Sequence, residues 1–368
     1  MLAAAALLLE ESESDDAELE HLLLKRRRLQ IKTRNDARCD SIPHPSESAW
    51  VHLSRTLDDV SYVARLGIPV SAFNLVLRHF WARVPHDARG KRGRKPRILP
   101  SQALGLMCEF YASKGEAKQL GASHGLTSRQ TSRWIQRAEV ALFEALSFVP
   151  QARIVWPSFQ QQREWGQHMA AYFPLVPNRF GYVDGKNLPV QQPSDIDLQN
   201  AMYNGWLHCV LVTGVLAFGC DGCLIWAKHN VFGSWNDGEV AGKLIEKLCD
   251  ASFTLPEYGL VSDTAFPSTQ RAFLKIVTPL KDGDLDNVPP MFHHLATQVS
   301  NSITTMRQTC EWGMGSMEKP FRRLLEPLPY NPHIRHMRLA NIFRLWNLRV
   351  RTTGITQVAN TYHVPIRN

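Results

Sequence analysis

The sequence predicts an α+β or α/β protein in which an all-α domain precedes a domain with a mixed sheet flanked by helices, and three observations support this fold class. From about residue 180, the apolar runs FGYVDGKNLPV, GWLHCVLVTGVLAF and CLIWAKHNVFG are typical of strands. Between residues 46 and 150, apolar residues recur at helical spacing instead. The chain of 368 residues, with 44% hydrophobic and 21% charged residues, is long enough for two or three domains of ordinary globular composition.

The N-terminal region combines a charged tail with one amphipathic helix. Residues 1–45 alternate acidic and basic blocks, and the run KRRR at 25–28 predicts either a nuclear import signal or a solvated face. In SAFNLVLRHFWARV, apolar residues fall at helical spacing: Phe73, Leu77, Phe80 and Val84. We expect this stretch to be a packing helix.

A basic arm follows that helix. In DARGKRGRKPR, six of eleven residues are basic: Arg89, Lys91, Arg92, Arg94, Lys95 and Arg97. Its glycines and proline prevent a regular helix, so the arm can follow a phosphate backbone or enter a minor groove. Alone, the same composition would indicate only a solvated linker.

The next fifty residues predict a helix-turn-helix. LPSQALGLMCEFYAS predicts a bracing helix, Gly125 a tight turn, and Thr127 the N-cap of a third helix. Polar and basic residues occupy that helix's exposed face: Ser128, Arg129, Gln130, Ser132, Arg133 and Gln136. Arg and Gln can reach base edges in a major groove, and Ser can reach phosphates. The alternative is an ordinary three-helix packing unit, but the neighbouring basic arm favours binding of double-stranded DNA.

Charge and cysteine content narrow the class of protein. The formal net charge is +8 and the pI about 9.2, which favours a polyanionic partner. Seven scattered cysteines indicate a reducing compartment without a disulfide framework. Cys220 and Cys223 form CDGC, but no second pair stands at zinc-site spacing, and Asp221-Gly222 between apolar runs predicts a hairpin. We expect no membrane span and no secretory signal, because no apolar run is long enough and the N-terminus turns acidic at once.

Acidic residues end two of the predicted strands. Asp184 follows the first apolar run, and Asp263 ends YGLVSD, a strand that we expect to run beside the first. In NSITTMRQTCEWGMGSMEKPFRRLL, core residues fall at helical spacing before and after Pro320, which should kink or divide the helix: Met306, Cys310, Met314, Met317, Phe321 and Leu324. Glu311 lies on the flank of this stripe with Arg307 one turn earlier, where Arg307 is expected to contact either a DNA phosphate or Glu311.

Three convergent carboxylates need a reason to lie together, because like charges raise each other's pKa. A divalent cation removes that cost, and hard oxygen ligands suit Mg²⁺ or Mn²⁺. Two such ions can activate a water or a 3′-hydroxyl and stabilise the leaving oxygen of a phosphodiester. Taken one at a time, each acid is a turn or surface residue, and only their order and flanking residues favour a site.

The motifs VDGKN, FGSWNDGEV, LVSDTAFP and RQTCEWGMGSMEKPFRRL, in this order after a helix-turn-helix, resemble the DDE transposases of the Harbinger superfamily over about residues 100–350. The resemblance implies a ribonuclease H-like catalytic domain, with Asp184, Asp263 and Glu311 as the metal-binding catalytic triad. It also implies hydrolysis at element ends and attack by the freed 3′-hydroxyl on target DNA. Gly233, Ser234 and Asp237 match the family's Gly-Ser…Asp segment.

Several details stay open within this resemblance. Asp237 is either a carboxylate that supports the triad or the N-cap of the following helix. Many relatives carry an Arg-Lys pair where this chain has MYNGW, so the phosphate contact expected there is either missing or supplied by Lys186. Trp206 and His208 are expected to pack on the sheet. Relatives often work with a separate Myb-like DNA-binding protein, and a homo-oligomer on DNA in the nucleus is expected.

The predicted organisation has six segments. They are a charged tail (1–45), a helical segment with the basic arm (46–100), a helix-turn-helix domain (101–150), a linker (151–179), the catalytic domain (180–355) and a C-terminal tail (356–368). The alternative to a transposase is a domesticated DNA-binding protein that retains the fold without cutting. An unrelated metal phosphohydrolase is less favoured because no His-rich ligand set accompanies the acids.

Overall fold

The computed structural model describes residues 19–28, 41–84, 98–266 and 274–366. The basic arm with Arg92, Arg94, Lys95 and Arg97, and most of the charged tail, lie outside these residues. Helix α1 covers 19–28 and includes the run KRRR, all of it exposed. Among these described residues, seven further helices precede the sheet: α2 (Ala49–Thr56), α3 (Asp59–Leu66), α4 (Val70–Phe80), α5 (Pro100–Ala112), α6 (Ala117–His124), α7 (Ser128–Leu146) and α8 (Phe159–Tyr172).

Helices α5, α6 and α7 form where the sequence predicts three helices. Gly125 ends α6 with a φ of +69°, a left-handed conformation that glycine adopts without steric cost. Thr127 caps α7 and forms a capping box, because Gln130 N donates to its Oγ1 at 3.4 Å while the Gln130 side chain accepts from Thr127 N at 3.0 Å. The cap and the turn are therefore confirmed.

The second half of the chain contains a mixed, seven-stranded sheet. Its strands are β1 (Arg179–Gly185), β2 (Leu188–Pro189), β3 (Tyr203–Asn204), β4 (Cys209–Gly219), β5 (Leu224–Phe232), β6 (Gly259–Val261) and β7 (Ile276–Val277). Strand β4 pairs antiparallel with β1, β2, β3 and β5. Strand β6 runs parallel to β1 and to β7, as the sequence predicts for the strand beside the first.

The turn between β4 and β5 is the predicted hairpin at Asp221-Gly222. Gly222 has a φ of +82°, and Gly222 N donates to Gly219 O at 2.9 Å. The Asp221 side chain accepts from Cys223 N at 2.9 Å, which fixes the turn. Cys220 and Cys223 are both buried beside this turn. The hairpin prediction is confirmed.

The remaining helices are α9 (Ile196–Met202), α10 (Asp237–Val240), α11 (Gly242–Cys249), α12 (His293–Glu318), α13 (Pro332–Thr353) and α14 (Gln357–Tyr362). Helix α12 crosses β1, β4 and β6. It ends at Glu318, just before Pro320, because proline lacks the amide proton that a helix interior requires. The six residues predicted as its apolar stripe, from Met306 to Leu324, are all buried.

The stretch HIRHMRLANIFRLWNLRVR predicts a basic amphipathic helix whose arginines face DNA, and α13 corrects this expectation for two of them. Arg338 is buried and donates to both carboxylate oxygens of Glu139 on α7, at 2.8 and 3.1 Å. Arg335 is also buried and donates to the carbonyls of Pro329 and Tyr330 at 3.0 Å. The helix is enclosed by both halves of the protein, so these guanidinium groups satisfy buried acceptors.

Within the described ranges, no single helix has both the length and the apolar character to cross a membrane. The bent pair Asp59–Leu66 and Val70–Arg83, with an angle of 64° between its parts, passes the same test only when its two helices are taken together.

Candidate active site

The two acids at strand ends come together because their strands are parallel neighbours. Strand β1 is buried up to Val183 and becomes half-buried at Asp184, where the sheet opens. Strand β6 pairs with β1 and ends at Val261, two residues before Asp263. Carboxyl ends of parallel strands meet at one edge of a sheet, which is where α/β proteins place their sites. The Asp263 carboxylate is oriented by Ala265 N, which donates to its Oδ1 at 3.0 Å.

Glu311 reaches the same edge from α12, and Arg307 links it to Asp263. Arg307 Nη2 lies 3.2 Å from Glu311 Oε1, one turn along the helix. Arg307 Nη1 lies 3.8 Å from Asp263 Oδ2. One guanidinium group therefore stands between the second and third acids. The Glu311 side chain is 54% exposed, against 25% for Asp263, so Glu311 forms the outer rim of the cluster.

The electrostatic state of Asp184 shows how crowded the cluster is. Burial, and next the negative charge of Asp263, raise the pKa of Asp184 to about 6. Opposing them, Gly185 N donates to Asp184 Oδ1 at 2.8 Å, and Arg307 contributes positive charge. Among the described residues, no basic side chain forms an ion pair with Asp184. A half-buried carboxylate without a countercharge has the character of a cation ligand.

A fourth carboxylate, that of Asp237, approaches the same point. A Cβ added to Gly185 would lie 2.3 Å from Asp237 Oδ2, so glycine after Asp184 leaves the space that this carboxylate fills. Burial, and next Asp263, raise the pKa of Asp237. The alternative role as an N-cap is wrong, because Asn236 caps α10 and its side chain accepts from Glu239 N at 2.9 Å. Asp237 is instead the first residue of the helix and faces β1.

The other two residues of the Gly-Ser…Asp segment, Gly233 and Ser234, differ in exposure. Gly233 is buried, and a Cβ there would lie 2.6 Å from Leu211 O. Ser234 is exposed.

Lys186, expected to contact phosphate, forms an ion pair with Glu318 two turns beyond Glu311 on α12. Its side chain is only 18% exposed, so this pair fastens the β1 edge to the helix.

The predicted DNA-contacting residues of α7 lie mostly on its surface. Arg129, Ser132, Arg133 and Gln136 are exposed, whereas Ser128 and Gln130 are half-buried at the capped end. The side-chain oxygen of Gln130 is occupied by the capping box. The contact of this face with DNA stays a prediction.

Trp206 and His208 do not pack on the sheet, so that expectation is wrong. Both precede β4 in its connection from β3, and Trp206 is 89% exposed. The turn is held by Asn204, whose Oδ1 accepts from Trp206 N at 3.1 Å and Leu207 N at 2.9 Å. The strand begins at Cys209, one residue after His208 and three after Trp206.

The donor set fits a hard divalent cation, although no ion contributes to the structure. All the converging side chains offer carboxylate oxygens, which Mg²⁺ and Mn²⁺ prefer. Burial and the charge of Asp263 raise the pKa of both Asp184 and Asp237, and a bound cation would offset both effects. Among the described residues, no three His, Cys, Asp or Glu side chains already have metal-holding geometry. Arg307 lies within ion-pair distance of both Asp263 and Glu311.

Comparison with known proteins gives one match, and it covers this site. No curated protein and no solved structure matches the chain. Residues 183–347 match a family model described as DDE superfamily endonuclease. The matched segment contains Asp184, Asp237, Asp263 and Glu311, as well as Arg307. The residues from the end of β1 into α13 are therefore similar to those of DDE superfamily endonucleases.

Proposed function

We propose that this protein is a divalent-metal-dependent DNA endonuclease and transposase of the Harbinger type, acting in the nucleus. One observation carries the proposal: Asp184, Asp263 and Glu311 converge around Arg307 at the open end of β1, inside the matched segment. The mixed sheet, with three antiparallel strands followed by parallel ones, supports the ribonuclease H-like fold that the resemblance implies. The chemistry is hydrolysis of phosphodiester bonds at element ends, then joining of the 3′-hydroxyl ends to target DNA.

The residues divide the work between holding cations and holding phosphate. Asp184, Asp263 and Glu311 would hold Mg²⁺ or Mn²⁺, which supply charge stabilisation and an activated oxygen nucleophile when two ions are bound. Asp237 adds a negative charge behind Asp184 and positions it through the contact at Gly185. Arg307, released from the acids, is placed to contact a phosphate oxygen with its planar guanidinium group.

The N-terminal half is proposed to bind the DNA that lies away from the catalytic acids. The exposed face of α7, with Arg129 and Arg133, is proposed to enter a major groove as the recognition helix of a helix-turn-helix. The basic arm would follow the adjacent backbone or minor groove. A homo-oligomer on paired element ends and a Myb-like partner protein complete the proposal, as the resemblance implies.

Cleavage of labelled DNA tests this function. Wild type is compared with Asp184→Asn, Asp263→Asn and Glu311→Gln in Mg²⁺, Mn²⁺ and EDTA, on duplexes carrying the genomic flanks of the gene. Cutting that requires metal and falls at least about 10³-fold in every variant is expected, because each removes a charge from the cation site. The matched control is Asp250→Asn, an exposed acid outside this cluster. Metal-independent cutting, or cutting that survives in all three variants, would refute the proposal.

A second candidate, a DNA-binding protein that retains the fold without cutting, is favoured by the position of Arg307. Its guanidinium group already neutralises two of the three acids. The two functions differ in cation binding: Mn²⁺ titration followed by electron paramagnetic resonance should give saturable binding for the nuclease and none for the alternative. Arg307→Ala should then bind Mn²⁺ at least as tightly as wild type, since the acids lose their internal cation.

A further inference from the structure

A cleft of about 680 Å³ lies between the helical half and the far end of the catalytic half. It is bounded by α3 and α5 on one side and by the end of α12, with α13, on the other. The catalytic acids do not line it. Neither the predicted recognition helix nor the family match accounts for a cavity at this junction.

The lining of this cleft is strongly basic. Five basic residues line it, and they come from four separate parts of the chain: Arg65, Lys114, Lys319, Arg322 and Arg349. Within the described residues, Glu109 is its only acidic residue. Glu109 is already occupied, because it accepts from Arg65 Nη2 at 2.7 Å and lies 3.0 Å from His124 Nε2. Although burial raises the pKa of Glu109, these two partners outweigh it and lower the pKa overall.

Three of the five cations have no acidic partner among the described residues. Lys319 and Arg322 are exposed and form no ion pair there. Arg349 donates from Nη1 to Gly67 O at 2.6 Å, and its charge is otherwise uncompensated. By contrast, Lys114 lies 3.4 Å from Glu326, outside the cleft lining. Unpaired cations gathered in a concave, partly desolvated space attract anions more strongly than cations scattered on a convex surface.

The cleft is connected to the catalytic edge by α12. Lys319 follows Glu311 by eight residues, so it lies about 12 Å further along the axis and about 80° around it. An axial distance of about 12 Å corresponds to three or four base steps of about 3.4 Å. A nucleic-acid strand at the acids would therefore reach the cleft without leaving the protein surface.

We propose that this cleft binds consecutive phosphate groups of a DNA strand, three or four steps from the bond held at the catalytic acids. The inference rests on the proposed function for the identity of the strand. Lys319 and Arg322 contact phosphate from the rim, and Arg349 does so from the floor. Ser316, which also lines the cleft, offers a neutral hydroxyl donor beside them.

The test uses the full-length chain and compares two variants with the same change in net charge. Lys319→Ala/Arg322→Ala removes the two rim cations. Arg163→Ala/Lys243→Ala removes two exposed basic residues on α8 and α11 that do not line the cleft. Fluorescence anisotropy measures the affinity for a short duplex between 50 and 200 mM salt, with EDTA present so that nothing is cut.

We expect the cleft variant to bind DNA about tenfold or more weakly, and its salt slope to fall by about one for each lost phosphate contact. The control variant should keep the wild-type slope. If the two variants behave alike, the cleft proposal is overturned, whether or not the wild type cuts DNA. Weaker binding confined to the cleft variant supports the proposal even if no cleavage is found, so the two failures are distinguishable.

A second arm distinguishes DNA phosphates from those of a small ligand. Inorganic tripolyphosphate is titrated by calorimetry against the same three proteins. Tripolyphosphate that binds wild type but not the cleft variant, combined with unchanged DNA affinity in that variant, would overturn DNA as the occupant. Competition between tripolyphosphate and DNA in wild type, lost in the cleft variant, supports it.

Discussion

At the scale of single residues, the site is governed by negative charges that share one edge of the sheet. The pKa of Asp184 is raised because its side chain is half-buried and faces Asp263, with Asp237 nearby. Its pKa is about 6 in the folded protein, against 3.8 for an ordinary aspartate. Folding therefore disfavours the ionised carboxylate relative to the protonated carboxyl group. This arrangement costs stability at neutral pH and is relieved only by a cation.

Asp184→Asn should therefore stabilise the metal-free protein at pH 7, by about 1–3 kcal/mol, because it removes the cost of ionising this group. Since the folded pKa is raised, that cost is complete above about pH 6 and disappears as the pH falls towards 4. The gain should shrink over the same window. Urea unfolding in EDTA at pH 7 and pH 4.5 measures it.

Mg²⁺ provides the complementary readout for the same pair of proteins. A cation that binds only the folded state should raise the urea midpoint of wild type as the Mg²⁺ concentration increases. The urea midpoint of Asp184→Asn should rise much less. Equal stabilisation of both proteins by Mg²⁺ would contradict the assignment of Asp184 as a cation ligand.

Gly185 and Asp237 form a second residue-scale test. In Gly185→Ala, the new methyl group would meet the Asp237 carboxylate, and we expect a loss of about 1–3 kcal/mol in unfolding free energy. Gly185→Ala/Asp237→Ala should recover most of that loss, because the shortened side chain makes room. A double-mutant cycle by urea unfolding gives the coupling energy. Additive effects would show that the two side chains do not meet.

At the scale of elements, α13 joins the two halves through buried polar contacts. Arg338 pairs with Glu139 of α7, and Tyr111 Oη of α5 donates to the same carboxylate at 3.0 Å. Asn341 Nδ2 donates to Tyr111 Oη at 3.1 Å and to Glu139 O at 3.0 Å. The network replaces water around the charged groups of Glu139 and Arg338, which specifies how the helices dock.

Arg338→Ala should cost about 3–5 kcal/mol in unfolding free energy, because it leaves the buried Glu139 without its countercharge. The exposed Arg163→Ala on α8 is the control and should change stability by less than about 0.5 kcal/mol. Glu139→Met/Arg338→Met should recover much of the loss, since no unpaired charge remains. A small effect of Arg338→Ala would mean that Glu139 reaches solvent.

At the scale of the whole molecule, one hydrophobic cluster runs from Trp50 to Val364 and includes residues of both halves. The proposed phosphate cleft lies at the same junction, so DNA bound there would contact helices from both halves. A shared core of this kind predicts cooperative unfolding.

We accordingly expect the described helices α5–α7 and strands β1–β6 to lose protection together in urea. Hydrogen exchange followed by mass spectrometry measures this, peptide by peptide, at increasing denaturant. Coincident loss within about 0.3 M would fit a single core and a urea slope that scales with the area exposed. Separate transitions for helical and sheet peptides would show instead that the halves fold independently.

Much of the local structure followed from the sequence alone. Alternating apolar runs, the Asp-Gly turn, the Thr127 cap, Pro320 and the stripe on α12 are signals within a few residues, governed by backbone geometry and local hydrogen bonds. The order of strands indicated that Asp184 and Asp263 could meet if their two strands are neighbours, and the parallel pairing of β1 with β6 brings them to one edge. The similarity of residues 183–347 to DDE superfamily endonucleases was expected from the resemblance that four short motifs carry.

Only the tertiary structure decided which charges meet. Arg307 between two acids, Asp237 against Gly185, the burial of Arg335 and Arg338, and the exposure of Trp206 all depend on contacts between distant segments. The basic cleft is the clearest case, because its five cations are spread from position 65 to position 349 and no local pattern connects them. Periodicity reports the side of an element that is buried, whereas packing determines the partner that it is buried against.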